Sequence, residues 1–228
     1  MSKTIVLGEE EVVIIGFWTS PYAMRVQIAL EEKGVPYQYV EEENLFHNKS
    51  PLLLQMNPVH KKVPVLIHNG NPVCESLIIL QYLDDVWNQK YTLFSHDSYE
   101  RAKARFWVNF FDNKIADCGR RMWASKGQDQ EAAKEEFIES LKLLEGELGE
   151  SPYFGGEKFG VLDVALIPFS CRFYTYEMFC KFKIEKECPK LMEWVKRCNH
   201  RESVSKILPD PYKIYSFVLH FKKMLGID

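Results

Sequence analysis

The chain has 228 residues, of which 46% are hydrophobic and 27% charged, as in globular proteins that form one large domain or two modest ones. Its 29 basic and 32 acidic residues give a net charge of −3, so no global positive charge favours nucleic acid or an anionic membrane as a partner. The first residues lack the apolar run and cleavage signal of a secretory peptide, and no run reaches the roughly 18 apolar residues that span a bilayer.

The cysteines give no sign of a metal centre. None forms a C-x-x-C pair, and no Cys/His cluster has the spacing of zinc ligands, so no metal is expected. An even number allows a disulfide framework. However, a long chain without a secretory signal favours free, mostly buried thiols in a reducing compartment. The six residues are Cys74, Cys118, Cys171, Cys180, Cys188 and Cys198.

The segment from residue 12 to 34 predicts a strand, a short turn and a helix. An apolar run over 12–15 precedes Ser20 and Pro21, which suit the N-cap and first position of a helix, and Gly34 suits its C-terminal end. One interpretation is a well-capped helix and nothing more. The other is a hydroxyl and free backbone N–H groups directed at a bound anion.

The rest of the first half continues this alternation and ends at residue 87. Two strands joined through a helix are expected to be parallel, and Asn69-Gly70 predicts a tight hairpin between antiparallel strands. The result is a four-stranded mixed sheet of the thioredoxin-like type. The predicted elements are strands over 36–41, 63–68 and 72–74, and helices over 50–56 and 77–87.

The second half is predicted to be entirely helical. Residues 88–98 are polar without a periodic apolar pattern, which indicates a linker between a domain over 1–87 and another over 99–228. Helices are predicted over 99–124, 130–148, 161–180, 188–199 and 211–225, with a loop over 149–160.

Four ordered segments in the first half share the pattern of a known family. They are FWTSPYAMR at 17–25, NKSPLL at 48–53, NPVHKKVPVL at 57–66 and ESLIILQY at 75–82. Together they resemble the plant tau-class glutathione S-transferases. The similarity continues through RFW at 105–107, WASKG at 123–127 and YFGG at 153–156, so it covers essentially the whole chain.

This resemblance implies a fold, an activity and partners. The fold is that of cytosolic glutathione transferases, with an α/β thioredoxin-like domain that binds glutathione and an all-α domain that supplies most of the acceptor pocket. The implied activity is conjugation of glutathione to hydrophobic electrophiles in detoxification and stress response, with hydroperoxide reduction as a side activity. A cytosolic homodimer that uses glutathione as co-substrate, without other cofactor or metal, is expected. The alternatives are a low-turnover carrier of hydrophobic small molecules and a structural domain of a larger assembly.

The resemblance makes Ser20 the catalytic hydroxyl, which donates a hydrogen bond to the glutathione thiolate. Lowering a thiol pKa from about 8.5 to about 6.5 requires roughly 2.7 kcal/mol of preferential thiolate stabilisation. A helix N-terminus supplies about 0.3–1 kcal/mol, whereas a hydrogen bond to a charged acceptor adds about 1.5–3 kcal/mol. The hydroxyl is therefore the larger contribution. Thr19 is its local rival, but Ser20 precedes the proline, as in the family.

Two lysines match the family positions that face the glycyl carboxylate of glutathione. These are Lys49 and Lys62, for which a solvated surface lysine is the alternative. The neighbouring His60 and Lys61 are expected to be solvated.

The resemblance assigns the remainder of the glutathione site to two further segments. It implies a cis bond between Val63 and Pro64, with the main chain of Val63 paired to the cysteinyl residue of glutathione. A trans proline on an edge strand is the alternative. Ser76 is assigned to the γ-glutamyl carboxylate and Glu75 to the ammonium group, whereas capping of the following helix is the structural alternative.

The acceptor pocket rests on position alone, and aromatic core residues are the alternative interpretation. Ala116 and Arg172 stand where related sequences carry bulky aromatics, so we expect a pocket suited to a larger or more polar acceptor. The other candidates are Phe17, Tyr22, Arg120, Trp123 and Phe217.

Asp163 is expected to be structural. It lies three residues after Gly160 and precedes an apolar run, as in a capping box with glycine at the cap. The glycines at 155, 156 and 160 do not form a phosphate loop, because no strand precedes them.

Overall fold

The computed structural model describes residues 11–89 and 91–227. The chain divides into two compact units, residues 1–93 and 94–228. The prediction about a secretory peptide concerns mainly residues 1–10, which lie outside the described residues.

The first unit contains a four-stranded mixed sheet of order β2-β1-β3-β4. β1 pairs parallel to β2 and antiparallel to β3, and β3 pairs antiparallel to β4. This is the predicted thioredoxin-like arrangement. The strands are β1 (Val12–Gly16), β2 (Gln38–Glu41), β3 (Val65–His68) and β4 (Asn71–Cys74), and the helices are α1 (Pro21–Lys33), α2 (Pro51–Met56) and α3 (Ser76–Val86).

Local sequence signals determine where these elements begin and end. Ser20 and Ser50 cap α1 and α2, and each hydroxyl accepts a hydrogen bond from the backbone N–H three residues later. Gly34 ends α1 with φ of 62°, in the left-handed region. Asn69 and Gly70 both have positive φ, as the tight turn between β3 and β4 requires.

Gly16 at the end of β1 is in close contact with the side chain of Tyr39. A Cβ atom on Gly16 would lie 2.6 Å from the ring of Tyr39, which covers this glycine from β2. A larger residue at position 16, directly before the turn into α1, would require the Tyr39 ring to move.

A buried cation joins the ends of α1 and α3. Lys33 Nζ donates to Asp84 Oδ1 at 2.7 Å and to the carbonyls of Trp87 and Tyr91 at 2.9 and 2.7 Å. These three acceptors match the three N–H groups of the ammonium, so its charge is both paired and fully hydrogen-bonded.

The second unit is helical, and its described residues contain no strand beyond two isolated bridges in the 149–160 loop. Its α-helices are α4 (Ser98–Phe110), α5 (Ala116–Ala124), α6 (Gln128–Leu148), α7 (Val161–Leu166), α8 (Phe173–Cys180), α9 (Ile184–Glu187), α10 (Pro189–Asn199), α11 (Glu202–Ser205) and α12 (Pro211–Met224). The short helices α9 and α11 were not predicted.

Two predicted long helices are wrong as single elements. The helix over 99–124 is divided by a π-helical turn, Phe111–Ile115, which changes the side-chain phase before α5. The helix over 161–180 is divided by a 3₁₀ segment, Ile167–Arg172. The second interruption has a clear cause, because Pro168 has no N–H and its ring excludes a regular α-turn.

Asp163 is structural, as predicted. It is completely buried, and its carboxylate accepts hydrogen bonds from the N–H groups of Gly160 and Phe154 and from Trp194 Nε1, at 2.8, 2.9 and 2.8 Å. Burial raises the pKa of Asp163 to about 6, although the three donors act in the opposite direction. The residue connects the start of α7 to the preceding loop and to α10.

All six cysteines have free thiols, which confirms the prediction. Burial raises the pKa of the Cys171 and Cys180 thiols to about 11. In the described part of the chain, no helix has the combination of length and apolar character needed to cross a membrane.

Candidate active site

Ser20 occupies the N-cap of α1 and has φ of −75° and ψ of 110°. Its Oγ accepts a hydrogen bond from the N–H of Ala23 at 3.3 Å, which uses a lone pair and leaves the O–H group as a donor. The neighbouring Thr19 is only 3% exposed, whereas Ser20 is half-buried. Of the two hydroxyls, Ser20 is the more accessible to a ligand at the end of the helix.

The start of α3 is built around an unusual residue. Glu75 has φ of 71° and ψ of 118°, a conformation that residues other than glycine rarely adopt. It is the N-cap residue, yet its side chain makes no capping hydrogen bond. The Glu75 carboxylate therefore does not cap α3 through a hydrogen bond, and it has another partner.

That partner is His60, which the sequence had suggested to be solvated. His60 Nδ1 lies 2.6 Å from Glu75 Oε1, and both side chains are about half exposed, at 53% and 50%. An ionised carboxylate only accepts hydrogen bonds, so Nδ1 carries the hydrogen and donates it to Glu75. The ring is exposed, as expected for a solvated residue, but it also pairs with Glu75 from another segment, which the sequence did not indicate.

Ser76 has its own buried partner, which sequence reasoning did not identify. Arg25 Nη1 donates to Ser76 Oγ at 3.1 Å, and the Arg25 side chain is completely buried. The guanidinium also lies over the ring of Tyr22, 4.9 Å from its centroid. An arginine among the apolar residues of α1 was the only available signal. Since the hydroxyl oxygen accepts from Arg25, its hydrogen is directed elsewhere.

The segment between α2 and β3 is held by side-chain hydrogen bonds. Asn57 accepts from the N–H of His60 at 3.1 Å and donates to the carbonyl of Lys62 at 3.0 Å. Lys49 Nζ donates to the carbonyl of Lys61 at 2.7 Å. Lys49 is thus attached to this segment, whereas Lys62 is exposed. The Val63–Pro64 bond that follows is cis, as the resemblance implied.

The start of α2 depends on a second interaction that the sequence did not reveal. The Glu42 carboxylate, only 2% exposed, accepts from the Ser50 backbone N–H at 3.0 Å and from the Ser50 hydroxyl at 2.5 Å. Ser50 Oγ in turn accepts from the Leu53 N–H at 3.1 Å. Lys49 directly precedes this anchored residue, so Glu42 fixes the backbone that carries the lysine.

The proposed glutathione residues therefore form two connected groups in the first unit. Contacts link Ser76 to Arg25 on the same helix as Ser20, and link Lys49, His60 and Glu75 through the segment over 57–62. The site combines hydroxyl donors, cationic groups and one carboxylate. This is the set that a zwitterionic peptide with two carboxylates and one ammonium group requires.

Two acceptor-pocket candidates lie in the first unit. Phe17 is 7% exposed and packs edge-to-face on Phe46, with ring centroids 5.4 Å apart. Tyr22 is half-buried on α1 beneath the Arg25 guanidinium. The packing of Phe17 is compatible with either a core or a pocket role.

The other candidates lie in the second unit. Ala116, Arg120 and Trp123 follow one another at helical spacing on one side of α5. Arg120 is exposed and pairs with Asp117 at 2.9 Å. Phe221 of α12 lies between two further aromatic residues. Its ring centroid is 6.1 Å from that of Trp123 and 5.8 Å from that of Phe217, on which it is stacked.

Arg172 lies at the end of the 3₁₀ segment and is half-buried. Across residues 11–89 and 91–227, no group of three or more His, Cys, Asp or Glu side chains is arranged to hold a metal ion.

Family models match both halves of the chain. The N-terminal domain of glutathione S-transferases matches residues 11–85, and the C-terminal domain matches residues 91–202. Among curated relatives, the probable glutathione S-transferase parA of Nicotiana tabacum is 57% identical over 97% of this chain and all of its own length. Glutathione S-transferase U21 of Arabidopsis thaliana is 56% identical, covering 96% of this chain and 99% of its own.

Solved structures agree with these matches. Rice GST1 (OsGSTU1), determined in complex with glutathione, superimposes with a TM-score of 0.91 at 47% identity and covers 96% of this chain and 99% of its own. The tau-class glutathione S-transferase of mango, Mangifera indica, has a TM-score of 0.86 at 38% identity, with 91% and 96% coverage. Both the sequence and the fold place this protein in one family: the chain belongs to the glutathione S-transferases, in the plant tau class.

Proposed function

We propose that this protein conjugates glutathione to hydrophobic electrophiles and that Ser20 stabilises the reactive thiolate. The observation that carries the proposal is the Ser20 hydroxyl on a partly buried residue at the N-terminus of α1, whose oxygen is held by the Ala23 N–H and whose hydrogen is available as a donor. The thiolate sulfur attacks an electrophilic carbon of the acceptor, a carbon–sulfur bond forms, and a leaving group such as a halide takes the bonding electrons.

The glutathione backbone is proposed to lie across the two connected groups of the first unit. Ser76 donates to the γ-glutamyl carboxylate, and Glu75 receives the ammonium group. The Val63 main chain pairs with the cysteinyl residue, and Lys49 and Lys62 face the glycyl carboxylate. The strained backbone of Glu75 supports a ligand-binding role, because such conformations persist where the surrounding structure maintains them for function.

The acceptor contacts are proposed to come from the residues that position in the sequence indicated. The residues are Phe17, Tyr22, Ala116, Arg120, Trp123, Arg172 and Phe217. Ala116 occupies little volume and Arg172 adds a cation, so the pocket should accept a larger or more polar molecule than one lined there by aromatics. The link of Trp123 and Phe217 through Phe221 supports a shared apolar surface.

The wider assignments follow the family. The domain over 1–87 binds glutathione, residues 88–98 form a linker, and the domain over 99–228 contributes acceptor contacts. The protein acts as a cytosolic homodimer, with glutathione as co-substrate and no separate cofactor, metal, nucleic-acid or membrane partner. Hydroperoxide reduction is a side activity: one glutathione reduces the peroxide to an alcohol and becomes a sulfenic acid, which a second glutathione converts to disulfide and water.

A conjugation assay with glutathione and an electrophilic aryl halide tests the proposal. Turnover in the wild type, with a large loss in the Ser20→Ala variant, is expected. Glutathione binding without conjugation or peroxidase turnover would instead favour the low-turnover carrier. Failure to bind glutathione at all would favour a structural domain. The thiol pKa of the Ser50→Ala variant is the matched control, because Ser50 caps a helix with proline at its first position but lies outside the thiol-activating group. Its turnover is not the control, since Ser50 also anchors the backbone of Lys49 through Glu42.

A further inference from the structure

We propose that His60 is a positioning residue for glutathione and that it acts by orienting the Glu75 carboxylate toward the ammonium group. The inference rests on the proposed function of Glu75, but it concerns a residue that the family motif left unassigned. It begins from one contact, the 2.6 Å separation of His60 Nδ1 and Glu75 Oε1.

Glu75 needs such support because neither its backbone nor its helix fixes the carboxylate. The residue has positive φ, and its side chain makes no cap hydrogen bond to α3. The side chain is half exposed, so without a partner several rotamers are accessible to it. A hydrogen bond to Oε1 reduces this freedom and leaves Oε2 as an acceptor for a ligand cation.

The backbone of His60 is held in place by the Asn57 side chain. Its backbone N–H donates to Asn57 Oδ1 at 3.1 Å, and the Asn57 side chain, 3% exposed, also donates to the carbonyl of Lys62. Lys49 contributes a further bond to the carbonyl of Lys61. The imidazole is thus carried by a segment anchored on both sides, and it can act as a rigid donor to Glu75.

Electrostatic stabilisation of the fold does not by itself account for the contact between His60 and Glu75. Half-exposed ion pairs contribute little to stability, so a purely stabilising role would leave ligand selectivity unchanged. A positioning role predicts that His60 affects the recognition of one particular group on glutathione, its α-ammonium. The other parts of the tripeptide should be bound as before.

The test compares glutathione with an analogue in which the α-amino group is replaced by hydrogen, γ-glutamyl becoming glutaryl. Calorimetric Kd values give the preference of each variant for the amino group. In His60→Ala this preference should fall by about three- to tenfold, the worth of one hydrogen bond, while the affinity for the analogue stays as in the wild type. An equal loss for both ligands, or no loss for either, would overturn the proposal.

Conservative and control variants separate positioning from folding. In His60→Asn, the amide nitrogen can take the place of Nδ1 and should restore the preference, whereas Gln places its amide at the more distant Nε2 position and should not. His200→Ala removes an exposed histidine that directly follows α10 and whose Nδ1 lies 2.7 Å from the carbonyl oxygen of Lys196 in that helix. It should leave the preference unchanged.

A Glu75→Gln variant separates the assignment of Glu75 to the ammonium group from the positioning role of His60. If it loses the preference and His60→Ala does not, the inference about His60 fails while the assignment of Glu75 stands. If Glu75→Gln retains the preference, the assignment of Glu75 to the ammonium group fails, and with it the role of His60. Conjugation through Ser20 is measured independently by turnover.

Discussion

Arg25 Nη1 lies 3.1 Å from Ser76 Oγ, although the two residues are 51 positions apart in the chain. The guanidinium is completely buried in α1, and the serine is the first residue of α3. The contact places a fixed positive charge behind the hydroxyl that we assign to the γ-glutamyl carboxylate. Two helices of the first unit thereby share one polar element of the site.

We expect Arg25 and Ser76 to act as a unit in glutathione binding. Because lysine lacks the planar fork of arginine, Arg25→Lys should weaken the contact and raise KM for glutathione about three- to tenfold. Ser76→Ala should have a similar effect, and the double variant should lose little more than either alone. KM for glutathione and for the acceptor, measured in all three variants, checks this. Fully additive losses would contradict a shared role.

Ser20→Ala should raise the pKa of the enzyme-bound glutathione thiol by at least about one unit, because a hydrogen bond to a charged acceptor contributes about 1.5–3 kcal/mol. Thiolate absorbance during pH titration of the binary complex measures it. The hydroxyl also caps α1, so Ser20→Gly is a useful companion: glycine is a better cap than alanine but also lacks the donor. Both variants should show the same thiol pKa, and Ser50→Ala should leave it unchanged. An unaltered titration in Ser20→Ala would refute the role.

Asp163 should make a pH-dependent contribution to stability. Its folded-state pKa of about 6 lies above the ordinary value, so the folded chain retains this proton more strongly than the unfolded chain. The stabilising contribution is then complete below about pH 4 and is lost as pH rises to about 6, by roughly 2–3 kcal/mol.

Urea unfolding of the wild type and of Asp163→Asn between these pH values tests this sign. The free energy of unfolding of the wild type minus that of the variant should decrease as pH rises, because other titrating groups cancel in the difference. An increase would mean that the three N–H donors lower the pKa of Asp163 by more than burial raises it. Asp163→Ala should be destabilised by about 3–5 kcal/mol, since it leaves buried donors without an acceptor.

Ala116 and Arg172 should influence acceptor preference and leave glutathione binding unaffected. We expect Ala116→Tyr to reduce the space available to the acceptor and Arg172→Trp to remove a cation. Each change should shift the ratio of kcat/KM between a large polar acceptor and a small apolar one by about tenfold. Kinetics against a panel of acceptors checks this, with KM for glutathione as the internal control. Unchanged preferences in both variants would reject the proposed pocket.

Much of the fold could be predicted because its signals are local. Ser20-Pro21 and Ser50-Pro51 mark helix starts, because each serine caps its helix by a hydrogen bond to the residue three positions later. Asn69-Gly70 marks a turn, because both residues adopt positive φ. Pro168 was also a local signal, because a proline interrupts the helix that was predicted over 161–180. The π-helical turn over 111–115 contains neither proline nor glycine, so apolar periodicity alone did not reveal it.

The glutathione site could be predicted only as a set of positions. The family pattern indicates Lys49, Glu75 and Ser76, but nothing in the neighbouring sequence indicates what each side chain contacts. His60 illustrates the limit: its ring is exposed, as expected, but its partner Glu75 lies 15 residues away on another element and could not be predicted. Glu42 is a similar case, because a carboxylate in an acidic stretch proved to be buried on Ser50.

The sequence by itself determined the strands and helices of the first unit, its mixed sheet, the helical character of the second unit and the capping position of Ser20, because capping, backbone preference and apolar periodicity act within a few residues. Only the tertiary structure decided that Arg25 meets Ser76, that His60 meets Glu75 and that Lys49 joins the segment before Pro64. These contacts depend on how strands and helices pack. Packing brings together polar groups that are far apart in the sequence, and their sequence separation does not predict their distance in space.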